Sequence, residues 1–104
     1  MLKLVLSAEA RRDLKSIQDY ISDKQKSPLA ALKVVEEILE KIENLIAFPD
    51  TGTLLYPKVN FKTNYRYKRA AGYLIFYRHE NNELFIDRII HGKRDYIAIL
   101  FPEE

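Results

Sequence analysis

The sequence lacks cysteine altogether, and it has only three glycines and two histidines among its 104 residues. Without cysteine the chain has no disulfide, no cysteine nucleophile and no thiolate metal site. Three glycines leave no room for the glycine-rich loops that hold nucleotide phosphates, and two histidines are few for a zinc centre. These absences argue against a nucleotide-binding or metal-dependent enzyme, and we expect neither a metal nor a cofactor.

Long hydrophobic runs are also missing. No stretch approaches the roughly 20 apolar residues that cross a bilayer, and Met1 to Leu6 lacks the pattern of a secretion signal. Hydrophobic residues still make up 47% of the chain, which is enough to build one core. We therefore expect a single domain over residues 1–104, no contact with a membrane, and a cytoplasmic location.

The first half of the chain has the pattern of two amphipathic helices. Ser7 and Ser27 are placed as N-caps, and apolar residues recur every three or four positions after each of them. The polar stretch 22–27 separates the two helices, which predicts an antiparallel helical hairpin. Eight apolar residues of the second helix are predicted to pack against a sheet: Leu29, Leu32, Val35, Ile38, Leu39, Ile42, Leu45 and Ile46.

The second half of the chain has the pattern of a sheet. Residues 65–68, 73–78 and 84–90 are aromatic and β-branched runs, separated by turns at 70–72 and 79–83. The predicted fold class is α+β. An N-terminal strand at residues 3–6 precedes the helical hairpin, which packs on a C-terminal three- to four-stranded antiparallel sheet. Asp95 is placed to cap a short C-terminal helical turn, and residues 101–104 are expected to be mobile.

The predicted sheet carries most of the positive charge. Residues 58–94 hold nine basic and three acidic side chains, whereas residues 1–57 hold eight and nine. A local charge of +6 attracts phosphate backbones or an acidic protein segment, although such charges can also simply solvate an exposed face. Six basic residues are therefore candidates for binding a target or a protein partner: Arg66, Lys68, Arg69, Arg78, Arg88 and Lys93.

Two motifs near the C-terminus resemble a known superfamily. The order of elements, with GYLIFYR from Gly72 and RIIHGKRD from Arg88, is similar to that of the RelE/ParE toxins of type II toxin-antitoxin systems. The likeness includes the first helix and the FPDTG segment from Phe48, and it covers nearly the whole chain. It implies a small toxin that inhibits growth, and a cognate antitoxin that neutralises it in a hetero-oligomer.

One branch of the superfamily, the RelE-like toxins, cleaves mRNA on the ribosome. By position Arg94 matches a RelE catalytic arginine, and His91 and Tyr96 would then be the candidates for proton transfer. Other RelE positions are changed in this sequence. An arginine is replaced by Leu74, two strand lysines fall at tyrosines, and the terminal tyrosine falls at Leu100.

The other branch, the ParE-like toxins, inhibits DNA gyrase without nuclease residues. Residues 73–78 and 88–95 resemble this branch more closely, so the resemblance favours a gyrase inhibitor. A ribosome-dependent mRNA endoribonuclease is the alternative, with the ribosome and mRNA as partners. A nontoxic binding module or decayed toxin is the second alternative.

Overall fold

The fold is built on one sheet, which has five strands within residues 1–102, the part of the chain that this computed structural model describes. The strands are β1 (Lys3–Leu6), β2 (Thr53–Leu54), β3 (Arg66–Ala70), β4 (Tyr73–Glu80) and β5 (Glu83–His91). The helices are α1 (Ala8–Lys24), α2 (Pro28–Ala47) and the short α3 (Tyr96–Leu100). The predicted α+β class is confirmed.

Both long helices begin at the predicted serine caps. The Ser7 hydroxyl accepts a hydrogen bond from the Ala10 N–H at 2.9 Å, and the Ser27 hydroxyl accepts one from the Ala30 N–H at 3.1 Å. Pro28 occupies the first position of α2, where the missing N–H costs no helical hydrogen bond. The caps thus fix where each helix starts.

The connection between the helices is shorter than the sequence predicts. Residues 22–24 stay helical, because the Gln25 N–H still bonds to the Ile21 carbonyl and closes the last turn of α1. Lys26 then adopts a positive φ of 50°, which redirects the chain towards α2. Polar residues alone did not mark the end of this helix, because they suit an exposed last turn as well as a loop.

The two hairpins of the sheet have tighter turns than predicted. Between β4 and β5 only Asn81 and Asn82 form the turn, with φ values of 52° and 66°. Asparagine tolerates this left-handed region, so a two-residue turn replaces the predicted five-residue one. The β3–β4 turn likewise consists of Ala71 and Gly72, with φ values of 53° and 86°.

The sheet is also wider than predicted. β1 pairs in parallel with β5, placing Lys3 opposite Glu83, and the two-residue β2 pairs with β3 at the other edge. The Ser7 hydroxyl strengthens the first pairing by donating to the Asp87 carbonyl at 2.8 Å, 80 positions away. Local periodicity carries no information about pairing over such a distance, which is why the sequence predicted the strand at residues 3–6 but not its parallel pairing with β5.

Both faces of the sheet are buried. The face with Ile75 and Tyr77, called here the helix face, packs against Ile17, Ile38 and Leu45 of the hairpin. The opposite face carries Tyr67, Leu74, Phe76 and Ile90, with Leu55 packed against them, and is called the tail face, because α3 and the residue after it cover it. Alternation along β4 could not show which face is solvated, since neither face is.

The C-terminal segment is packed rather than mobile as far as it is described. The Phe101 ring meets the Phe61 ring edge to face, with centroids 4.9 Å apart, and lies 5.9 Å from the Tyr65 ring. The expectation of mobility from residue 101 onwards is therefore wrong for Phe101. Glu103 and Glu104 lie outside the described residues.

Helix α2 buries only part of its predicted stripe. Ile38, Ile42 and Leu45 are in the core, but Leu29, Leu32 and Leu39 are 65%, 49% and 44% exposed. The prediction that all eight apolar residues pack on the sheet is wrong for these three leucines. The stripe is wider than the side of α2 that faces the sheet, so its outer part is left uncovered.

Tyr77 ties the segment that follows α2 to the middle of the sheet. Its ring is fully buried, and its hydroxyl donates to the Pro49 carbonyl and accepts from the Gly52 N–H at 3.0 Å. Burial raises the pKa of this phenol. A Cβ atom on Gly52 would lie 2.3 Å from the Tyr77 hydroxyl oxygen and 2.9 Å from the Tyr67 carbonyl, so this position requires glycine.

We predict that Gly52→Ala lowers the free energy of unfolding by about 1–3 kcal/mol, the usual cost of forcing an extra group into a packed site. Chemical denaturation monitored by circular dichroism measures it. Gly92→Ala is the matched control, because a Cβ there would lie no closer than 3.4 Å to its neighbours. Equal stability of the two variants would contradict the packing described around Tyr77.

A second tyrosine takes part in a polar cluster beside the tail face. The Tyr65 hydroxyl donates to Asp87 Oδ2 at 2.9 Å, and Arg78 Nε donates to the same oxygen at 2.8 Å. Burial, together with the bond to the Asp87 carboxylate, raises the pKa of Tyr65 to about 12. The folded protein therefore holds this phenolic proton more tightly than the unfolded chain does.

This shift predicts a loss of stability in alkali. Between the ordinary tyrosine pKa of 10.0 and the folded value of about 12, the native state binds more protons than the unfolded state, so the free energy of unfolding falls as pH rises. Tyr65→Phe should make this fall shallower in denaturation curves recorded across that range. The exposed Tyr56→Phe is the control, and an equal pH dependence in both variants would refute the role of Tyr65.

Candidate functional site

Arg88, a predicted binding residue, is engaged inside the protein. Its Nε and Nη2 atoms donate to the two carboxylate oxygens of Asp13 on α1 at 2.8 and 3.0 Å. Asp13 also accepts the Ile89 N–H at 2.8 Å, and the bond to this carboxylate raises the pKa of Arg88. The pair joins β5 to α1, so it holds the helical hairpin on the sheet.

Arg78 and Arg66 are also bonded to oxygen atoms inside the protein. Arg78 contacts Asp87 at 2.8 Å and Glu80 at 3.0 Å, and its guanidinium lies 4.5 Å from the centre of the Phe85 ring. Arg66 Nη1 donates to the Gly52 carbonyl at 2.9 Å and to the Asp50 carbonyl at 3.3 Å. A binding role for these arginines stays a prediction, but their donors already serve the fold.

Four other cations are not engaged in this way. None of the ion pairs found within residues 1–102 includes Lys68, Arg69, Lys93 or Arg94. Arg69 Nη1 lies 3.7 Å from where a Cβ of Gly92 would be, so β3 and the residues after β5 meet at one end of the sheet. Arg69, Lys93 and Arg94 form what we call the cationic end, whereas Lys68 lies further along β3, opposite Ile75.

The three nuclease candidates do not converge. His91 lies on the helix face, with its ring 5.1 Å from the Tyr73 ring and its Nδ1 accepting the Lys93 N–H at 3.1 Å. Tyr96 lies on the tail face, where its ring is 5.3 Å from the Phe76 ring. Arg94 shares a cleft with His91, and Tyr96 does not line it.

This cleft lies between α1, the first half of α2 and the sheet end that carries the cationic residues. Its volume is about 560 Å³, and its walls include Tyr20, Val34, Tyr73, His91 and Arg94. Burial raises the pKa of Tyr73, and the nearby Tyr20 adds to the effect. Sequence reasoning missed Tyr20, although a large aromatic ring within the polar side of α1 was a signal for it.

Neither a membrane span nor a metal cluster is found in residues 1–102. No helix in that range is both long and apolar enough to cross a membrane. In the same range, no three histidine, aspartate or glutamate side chains come together as a metal site requires.

Comparisons with known proteins agree with this architecture. A family model described as the ParE toxin of the type II toxin-antitoxin system parDE matches residues 4–96. A solved structure titled "Chromosomal ParDE TA system from P. aeruginosa" contains a similar chain, with a TM-score of 0.73 and 24% sequence identity. The alignment covers 88% of this chain and 96% of that one, and at such identity it shows the fold. No curated protein matches the chain significantly.

The family match extends from β1 to the first residue of α3 and so includes the helical hairpin, the Tyr77 anchor and the cationic end. It confirms the ParE-like side of the resemblance that the two C-terminal motifs indicated. This chain belongs to the ParE family of toxins of type II toxin-antitoxin systems.

Proposed function

We propose that this protein inhibits DNA gyrase in the cytoplasm and that a cognate antitoxin neutralises it by forming a hetero-oligomer. Membership of the ParE family supports the choice of target, since the ParE-like branch is the one that inhibits gyrase without nuclease residues. The single observation that carries the choice is the placement of the nuclease candidates, because His91 and Tyr96 lie on opposite faces of the sheet.

Phosphodiester cleavage needs its proton-transfer groups and its charge-stabilising groups at one phosphate. In this protein Arg94 and His91 line the cleft, whereas Tyr96 packs into the tail face. Two RelE positions are taken by apolar side chains that also serve the tail-face core, since Leu74 is buried and Leu100 packs beside it. This arrangement supports inhibition by binding over cleavage of mRNA.

The cationic end is the surface that we assign to gyrase. Arg69, Lys93 and Arg94 are exposed. Arg69 lies just before the Ala71–Gly72 turn, and Lys93 lies in the turn that the Arg94 N–H to His91 carbonyl bond closes, so their charges are presented from a fixed framework. The phosphate backbone of the DNA that gyrase holds is an acidic surface that such a group would attract. Complementary charge of this kind raises the rate of encounter and favours one docking orientation.

A supercoiling assay tests the proposal. We predict that the purified protein, in excess over gyrase, inhibits supercoiling or traps cleaved DNA. The double variant Lys93→Glu, Arg94→Glu should be a weaker inhibitor by about tenfold or more. Paired charges at a docking surface contribute about 1.4 kcal/mol or more, which corresponds to that factor. The matched control is Arg11→Glu, Arg12→Glu, which makes the same charge change on the exposed side of α1.

Unchanged supercoiling and unchanged gyrase-dependent cleavage in the presence of excess protein would show that gyrase is not the target. If the parent protein then cuts mRNA on stalled ribosomes in toe-printing, and Arg94→Ala does not, the endoribonuclease alternative replaces this proposal. Equal loss in the two double variants would mean that total charge matters and that the cationic end is not the contact.

The antitoxin should also use this part of the surface. Lys68 and Arg69 are neighbours on β3 and point to opposite faces of the sheet. An acidic segment that folds on binding can cross this strand and place carboxylates on both, while its apolar residues fill the cleft lined by Ala71 and Tyr73. Arg66, which we grouped with these two residues from the sequence, differs from them because it holds the Asp50 to Gly52 segment. Reversing it should change the fold as well as the binding.

We predict that Lys68→Glu, Arg69→Glu slows association with the antitoxin and weakens its salt dependence, because exposed charges act mainly on the encounter rate. Stopped-flow binding at two ionic strengths measures both quantities, and thermal unfolding should stay near that of the parent. Arg66→Glu should instead lower the unfolding temperature. An unchanged association rate and salt slope in the double variant would place the antitoxin elsewhere.

A further inference from the structure

The outer side of α2 is an apolar seam with no partner inside the described residues. Leu32 and Leu39 are 49% and 44% exposed, and Val35 between them is half-buried. Spacings of three and four residues place these side chains at the a, d and a positions of a heptad, whereas the next d and a positions, Ile42 and Ile46, pack into the core. The seam from Leu32 to Leu39 is about 10 Å long, or two helical turns, given a rise of 1.5 Å per residue.

The charges beside the seam have one sign. Glu36 and Glu43 occupy the e positions that flank it, both are exposed, and neither takes part in an ion pair found within residues 1–102. The g positions on the other flank are Ile38 and Leu45, which are buried in the core. The charge that selects a helical partner here is therefore carried by two glutamates.

From this seam we propose that α2 is a docking site for an amphipathic helix of another protein, with apolar residues facing Leu32, Val35 and Leu39 and with lysine or arginine facing Glu36 and Glu43. Charges at e and g positions decide which helices pair, so acidic flanks select basic ones. The site is distinct from the cationic end, which attracts acidic segments, and the proposal does not depend on the choice of gyrase as target.

A second copy of this chain is a poor occupant of the seam. If two α2 helices paired antiparallel about a two-fold axis, the e positions would face each other and Glu36 of one chain would approach Glu43 of the other. Like charges opposed in this way weaken pairing. An acidic antitoxin helix meets the same repulsion, so the chemistry of the partner is specified as basic.

Two designed helical peptides test this site on the purified full-length protein. Both carry leucine at the a and d positions, and they differ only in having lysine or glutamate at the e and g positions. We expect the lysine peptide to bind with a Kd at least about tenfold lower, as measured by fluorescence anisotropy, and the variant Glu36→Lys, Glu43→Lys to reverse this preference. Leu32→Asn, Leu39→Asn should remove binding of both peptides.

The matched control is Glu37→Lys, Glu40→Lys, which makes the same charge change on the same helix away from the seam and should leave the preference as it is. Circular dichroism shows whether each variant remains folded. Equal binding of the two peptides, or a reversal by the control as strong as by the seam variant, overturns the proposal. A dimer of this chain in sedimentation experiments would also overturn the proposal if the variant Leu32→Asn, Leu39→Asn were monomeric, since a second copy would then occupy the seam.

Discussion

The fold depends on a sheet that is buried on both faces. A charged side chain in the middle of such a sheet loses water, which is unfavourable unless a partner of opposite charge or a carbonyl replaces the water. Arg66, Arg78 and Arg88 satisfy this condition with Asp50 and Gly52, with Asp87 and Glu80, and with Asp13. Arg69, Lys93 and Arg94, which take part in no ion pair among the described residues, lie at one end of the sheet and are exposed to water.

The same constraint divides the cations into those that are bonded inside the fold and those that a partner can contact. The net charge of +6 in the sheet region describes composition and overstates the charge that a partner can meet. Asp13 and Asp50, which neutralise two of the arginines, come from the first half of the sequence and so fall outside that count. What remains for recognition is the smaller group at the cationic end, which is separate from the acidic outer face of α2.

Sequence reasoning located the elements that local chemistry specifies. The serine caps, the proline at the start of α2 and the aspartate before α3 each act within three residues, and the structure has helices starting at all of them. The family likewise follows from short motifs in the right order. Such signals are readable because the interactions behind them are local.

What the sequence did not reveal involves contacts between distant residues. The parallel pairing of β1, the internal partners of the arginines and the rotation of α2 that leaves three leucines exposed all depend on packing between distant segments. The separation of His91 from Tyr96 has the same origin, because five residues along the chain are enough to pass around the sheet edge into α3. Residues close in sequence can thus lie on opposite faces of the sheet.

The pairing of β1 with β5 also decides when during synthesis the protein can become complete. β1 leaves the ribosome first, but its partner begins only at Glu83, and the Ser7 hydroxyl must wait for Asp87. Non-local pairing of this kind forms late in folding, because closing a long loop costs chain entropy before the stabilising contacts are made. The hairpin helices can form early, whereas the finished sheet exists only after β5 has been made. A nascent chain therefore passes through a period in which α1 and α2 present apolar surface that no strand yet covers.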